Sequence, residues 1–144
     1  MKIRIVAVAV AVAAFAAGCG KDTCPTEAPQ VSALAQDCQV PAGQAVTYPL
    51  RLCPTCNQTL TGCTAEMSGA NASGGTIFLN PTVEVCSSSN TCPPSCSAST
   101  ATCTFTPPST AAGVSYDIQV YDPASGETKQ GKVTFTSGAV SCSV

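Results

Sequence analysis

Val114-Ser115-Tyr116-Asp117-Ile118-Gln119-Val120 alternates apolar and polar side chains without a break. That period of two belongs to a strand with one face on a core and the other in water. The turn-forming run Asp122-Pro123-Ala124-Ser125-Gly126 follows, and Val133 and Phe135 then answer as the returning arm of a hairpin. The same period recurs upstream. Val46, Tyr48, Leu50 and Leu52 alternate with Thr47, Pro49 and Arg51, and Pro49, which has no ladder donor, argues for an edge or a bulge. Ile77 and Leu79, then Val83 and Val85, outline a strand or strand pair broken at Pro81, and Cys103 and Phe105 alternate with Thr102, Thr104 and Thr106. Val31, Leu34, Ala35 and Cys38 fit one helical face, but the segment is short, lacks a convincing N-cap and also alternates, so it is read as a first strand. Five to seven short strands with polar turns predict an all-β fold, a β-sandwich.

Composition narrows what such a sandwich can be. Eleven of the 144 residues are Cys, while only 10% are charged and 5% aromatic. This is the density at which covalent staples supplement a small core in an oxidising compartment. Beyond residue 18 the chain keeps Lys21, Arg51, Lys129 and Lys132 against eight carboxylates, a side-chain charge of −4. No basic stripe is available to neutralise phosphates, so nucleic acid is excluded as a partner. The chain has no His, which removes Ser-His-Asp, Cys-His and His-based metal chemistry. No cofactor and no metal is expected, and the chain does not read as an enzyme.

The N-terminus carries the sharpest signal. Lys2 and Arg4 precede thirteen residues, Ile5 to Ala17, without a polar side chain. That is the length of a signal-peptide core and short of the roughly 20 residues that cross a bilayer. The run ends in Ala16-Ala17-Gly18-Cys19, which resembles the lipobox of bacterial lipoproteins, with Ala16 standing where Leu is usual. The resemblance implies removal of residues 1–18 and a lipid on Cys19. A conventional cleavage after Ala16, using Ala14 and Ala16 as the small pair, is the competing reading. Gly20, rather than Asp, follows Cys19. In lipoproteins of this kind that implies the outer membrane in preference to the inner. Residues 19–30, polar and carrying two prolines, read as a tether, and residues 31–144 as one domain.

Parity points the same way, because eleven cysteines less a lipidated Cys19 leave ten. Cys24, Cys38, Cys53, Cys56, Cys63, Cys86, Cys92, Cys96, Cys103 and Cys142 are therefore expected in five disulfides. Cys86, Cys92, Cys96 and Cys103 lie close enough for local pairing, and Cys38 and Cys142 are placed to join the first and last strands.

A second resemblance concerns the fold. Thr106-Pro107-Pro108, Gly113 to Val120, and the hairpin to Val133 and Phe135 look like the last three strands of fibronectin type III and other immunoglobulin-like domains, over about 35 residues. It implies that Tyr116 packs at a corner with its hydroxyl bonded to nearby backbone. The chain has no Trp, and Ile118 stands where antibody-type domains carry their second core Cys.

Motifs with possible chemistry are few. Cys53-Pro54-Thr55-Cys56 has the form used by thiol oxidoreductases, but Asn57-Gln58-Thr59-Leu60-Thr61-Gly62 beyond it reads as a turn and offers no helix to activate a thiolate. Cys92-Pro93-Pro94-Ser95-Cys96 with Cys103 has spacings a zinc ion could use, yet an exported chain favours disulfides. Asp117 and Asp122 flank one strand end and read as solubilising charge. Asn57-Gln58-Thr59 and Asn71-Ala72-Ser73 match glycosylation sequons, which a bacterial lipoprotein does not normally use. The expectation is a lipid-anchored cell-envelope module that binds or supports a protein partner through its sandwich-end loops. The alternatives are an envelope thiol-disulfide oxidoreductase using Cys53 and Cys56, or an accessory subunit of a secretion or adhesion assembly.

Overall fold

The computed structural model describes residues 24–86, 96, 98–108, 112–138 and 140–144. The expected signal peptide over residues 1–18, Cys19 and Cys92 lie outside these residues. The chain is all-β. Its strands are β1 (Thr26–Glu27), β2 (Val31–Leu34), β3 (Asp37–Pro41), β4 (Val46–Leu52), β5 (Gln58–Asn71), β6 (Gly74–Val85), β7 (Ser99–Phe105), β8 (Ser115–Asp122) and β9 (Glu127–Thr136). They form a six-stranded sheet, ordered β1-β6-β8-β9-β3 with β5 on the other edge of β6, and a three-stranded sheet, β2-β4-β7. Most pairs are antiparallel, but β3 runs parallel to β9 and β6 parallel to β8.

The period-two stretches pack the two sheets face to face. Val46, Tyr48, Leu50 and Leu52 of β4, with Ala101, Cys103 and Phe105 of β7, meet Ile77 and Leu79 of β6, Tyr116, Ile118 and Val120 of β8, and Val133 and Phe135 of β9. The Val31–Cys38 segment is strand, as its alternation predicts, but two strands rather than one. The chain leaves the small sheet after Leu34, and Cys38 and Val40 enter the core from the large one.

Pro49 lies at the centre of the small sheet, not at its edge. The Ala35 amide donates to the Pro49 carbonyl, so the proline nitrogen faces Ala35 as well, where an antiparallel pair would normally exchange two bonds. The missing donor is replaced by a neighbour: the Tyr48 hydroxyl donates to the Ala35 carbonyl. Burial, with the Asp37 carboxylate adding to it, pushes the Tyr48 hydroxyl well above the ordinary phenol range, so it stays a donor. Gly131 in the facing sheet makes room for this contact, since a Cβ there would overlap both the Tyr48 hydroxyl and the Ala35 carbonyl.

Pro81 does not break its strand either; β6 runs through it for 12 residues. On one edge β6 pairs with β8 from Gly75 to Phe78 and with β1 at Val83 and Glu84. Pro81 falls in the gap between those partners, where that edge has no ladder bond to lose. Two further expectations change. The polar stretch after Cys56 is not a turn beyond Asn57 but the start of β5, 14 residues long. Residues 24–30, expected to belong to a tether over 19–30, are part of the fold instead, because β1 joins the large sheet, Pro29 is buried and Cys24 is bridged to Cys86.

Candidate functional site

Nine of the ten cysteines expected in disulfides lie among the described residues. Cys38 pairs with Cys142, joining β3 to the C-terminal segment across 104 residues. The local pairings expected among Cys86, Cys96 and Cys103 do not occur. Cys86 bonds Cys24, Cys96 bonds Cys53 and Cys103 bonds Cys63, with sequence separations of 62, 43 and 40. Sandwich topology explains this: residues near in sequence extend away from one another along a strand, while pairing brings distant segments side by side. Cys56 is also disulfide-bonded, to a cysteine outside the described residues. Cys53 and Cys56 are therefore not bonded to each other, and neither is a free thiol.

The paired carboxylates do not converge. Asp117 points to solvent from the outer face of β8, whereas Asp122 turns inward and is buried. It is no solubilising charge. Its Oδ1 accepts the amides of Val31 at 3.1 Å and Ala124 at 3.3 Å, and its Oδ2 accepts the Ser125 hydroxyl at 2.8 Å with the Lys129 ammonium 3.6 Å away. Burial works against the charged form, but these hydrogen bonds and the Lys129 charge outweigh it and hold the carboxyl below its ordinary range. The group ties the β8–β9 turn to the start of β2. The Ala124 bond is an Asx-turn that the Asp-Pro-Ala-Ser-Gly sequence signals; the Val31 bond, 91 residues away, has no local signal.

Tyr116 is fully buried, with its ring edge-on to Phe135 at 5.9 Å between centroids. Its hydroxyl donates to the Asn71 carbonyl at 2.7 Å, across 45 residues. That carbonyl lies at the tip of the β5–β6 hairpin.

In that hairpin β5 has no buried residue along its whole length. Residues directly opposite share a face, so Leu60, Cys63, Ala65 and Met67 of β5 share the core face of β6, set by Val83, Pro81, Leu79 and Ile77. The three-stranded sheet ends at β7 and does not extend over β5. Consequently Leu60 is 40% and Met67 43% exposed although both face inward, and on the outer face Phe78 and Tyr121 are also uncovered. The Cys63–Cys103 bridge, Cα atoms 5.1 Å apart, crosses between the overhanging strand and the edge of the small sheet. Beside it lies a groove of about 260 Å³, walled by Leu60, Thr61 and Gly62 on one side and Thr100, Ala101 and Thr102 on the other. A second hollow, about 270 Å³, opens where β6 and β8 diverge, between Asn80, Pro81, Thr82 and Tyr121.

Neither hollow brings together an acid, a base and a nucleophile. The groove offers threonine hydroxyls, backbone and apolar surface, and the second hollow one carboxylate, Glu27, beside a tyrosine. Among the described residues no three His, Cys, Asp or Glu side chains are gathered to hold a metal ion. No protein-family model, curated protein or solved structure matches the chain.

Proposed function

We infer that this protein is a lipid-anchored binding module of the cell envelope, carried on Cys19 and contacting a protein partner through its loops and the overhanging β5–β6 hairpin. One observation carries the reading. A 14-residue strand, paired along one edge among the described residues, presents inward-facing apolar side chains that its own domain leaves uncovered. Long open edges are ready templates for another chain, and natural sandwiches blunt them or use them. Bulges at Leu60/Gly62 and Ser68/Asn71 interrupt β5, which restricts pairing to the stretch between them.

Kinship with immunoglobulin-like domains belongs to the same proposal. In its favour are the order of the small sheet, which follows the first, second and fifth strands of such folds, and the β8–β9 hairpin with its buried tyrosine. The parallel β6–β8 pair departs from the antiparallel sheets of that class. The thiol-disulfide alternative is weakened by the bond from Cys53 to Cys96, since a redox motif of that form relies on a labile bond within itself.

The test has two arms. Wild-type protein should take fatty-acid label and partition into detergent, and Cys19→Ser should do neither. A photo-crosslinking side chain placed at Met67 in cells should then yield a discrete adduct that the same group at exposed Gln130 does not. Adducts indistinguishable at the two positions would remove β5 as the contact surface, and unlabelled wild-type protein in the aqueous phase would remove the anchor.

A further inference from the structure

The disulfide between Cys24 and Cys86 fixes where the chain enters the fold, and with it which end of the sandwich a lipid anchor holds down. The Pro25 carbonyl accepts the Val85 amide at 2.9 Å, and β1 is paired to the last residues of β6. Hydrogen bonds then connect that corner to the rest of the same end. The Cys86 amide donates to Asn57 at 3.1 Å, the Cys53 amide to Gln30 at 2.9 Å, and the Val31 amide to Asp122 at 3.1 Å. The Cys53–Asn57 loop, the Asp122–Gly126 turn and the chain entry therefore share one end. The opposite end carries the Asn71–Gly74 hairpin tip and the turn between Pro41 and Val46, next to the start of β8, where Tyr116 pairs with Gly75 of β6.

Resting on the lipidation of Cys19 argued above, we propose that the end bearing the Cys24–Cys86 bridge faces the bilayer surface, and that the hairpin tip at Asn71–Gly74 points away from it. Five Cα–Cα steps separate Cys19 from Cys24, and fully extended they span about 17 Å. The strand β6 alone, from Gly74 to Val85, extends about 36 Å. A tether less than half as long as that strand cannot let the domain turn over and set its far tip on the membrane. The long linker that would have allowed free tumbling is absent because the β1 pairing and the Cys24 bridge have drawn its second half into the fold.

The chain has no Trp, so an introduced indole reports alone. Lipidated protein on phosphatidylethanolamine and phosphatidylglycerol vesicles carrying dansyl-labelled headgroups would be compared for Ala124→Trp, Thr102→Trp and Ala72→Trp. Energy transfer from position 124 should exceed that from 72 several-fold, with 102 between them, and a twenty-residue Gly/Ser insertion after Gly20 should abolish the gradient. Equal transfer at 124 and 102, or strong transfer at 72, would mean that the domain lies on a side or inverts, and would overturn the orientation with anchoring intact. Failure of the unsubstituted protein to float with vesicles, or an N-terminal peptide mass without lipid, would instead overturn the anchoring reading and this one with it.

Discussion

Strands β8 and β5 have the same extended backbone and sit two places apart in one sheet, yet they live in different environments. In β8 every second residue, Tyr116, Ile118, Val120 and Asp122, is buried; in β5 no residue of fourteen is. The difference arises in the opposite layer. Three strands cover β6, β8 and β9, and among the described residues none of the three lies squarely over β5, which is held by its ladder to β6, by one disulfide to β7 and by the Tyr116 hydroxyl at Asn71. Hydrophobic burial thus stabilises the centre of the molecule, while hydrogen bonds and a covalent link hold the arm. Hydrogen bonds contribute only about 1 kcal/mol each net of water, so the arm depends on its staple far more than the centre does.

The harshest way to test this contrast is to remove the staples together. The four bridges of known partners span 40 to 104 residues. Each contributes about 2–4 kcal/mol, and their sum rivals the roughly 5–15 kcal/mol that a domain has in all. Full reduction should therefore unfold the protein, read by circular dichroism and by alkylation of every thiol. A reduced protein that keeps its β spectrum and melting temperature would show that the core suffices without them.

Next in size is Tyr116→Ala, which empties the centre of the covered region and also releases the Asn71 carbonyl at the hairpin tip. Truncation of a buried aromatic costs about 3–5 kcal/mol. A shift in the urea midpoint of this size at unchanged slope is expected. A loss under about 1 kcal/mol would mean that the site collapses and that the centre is less tightly packed than described.

Asp122 contributes less, and its contribution depends on pH. A carboxyl held below its ordinary range in the folded chain stabilises fully above the unfolded value near ~3.9. The stabilisation is lost as pH falls through the still lower folded value. Asp122→Asn should cost about 1–3 kcal/mol at neutral pH and progressively less on acidification through that window, when urea midpoints of variant and wild type are compared. A pH-independent difference would assign the effect to shape rather than charge.

The smallest effect is expected on the arm. Met67→Ser removes a side chain that is 43% exposed and should alter stability by less than about 0.5 kcal/mol, measured by thermal melting. A cost above about 1.5 kcal/mol would show that β5 is covered in solution and would end the contrast between the two regions.

How far the sequence was legible follows the same line. Where both sheets close over a strand, selection for an apolar face writes a period of two, and β4, β7, β8 and β9 could be read from Val46–Leu52, Cys103–Phe105, Val114–Val120 and Val133–Phe135. Gln58–Asn71 has no such face to write, so β5 looks like loop. Pro49 and Pro81 misled for a related reason. A proline removes one donor, but whether that donor was needed depends on the neighbouring strand, which at Pro49 is relieved by the Tyr48 hydroxyl and at Pro81 leaves the edge vacant.

The open hairpin was not legible as a site, because exposure of Leu60 and Met67 is a property of the opposite sheet's width and not of their own neighbours. Asp122 was half legible: its turn is local, its bond to Val31 is not. By itself the sequence determined the all-β class, the use of disulfides and the face to which most core residues point, since these follow from local periodicity and composition. Sheet order, the partners of each cysteine and the inward turn of Asp122 were decided only by tertiary structure. Each requires segments 40 to 104 residues apart to meet, and no local pattern encodes which distant segment arrives.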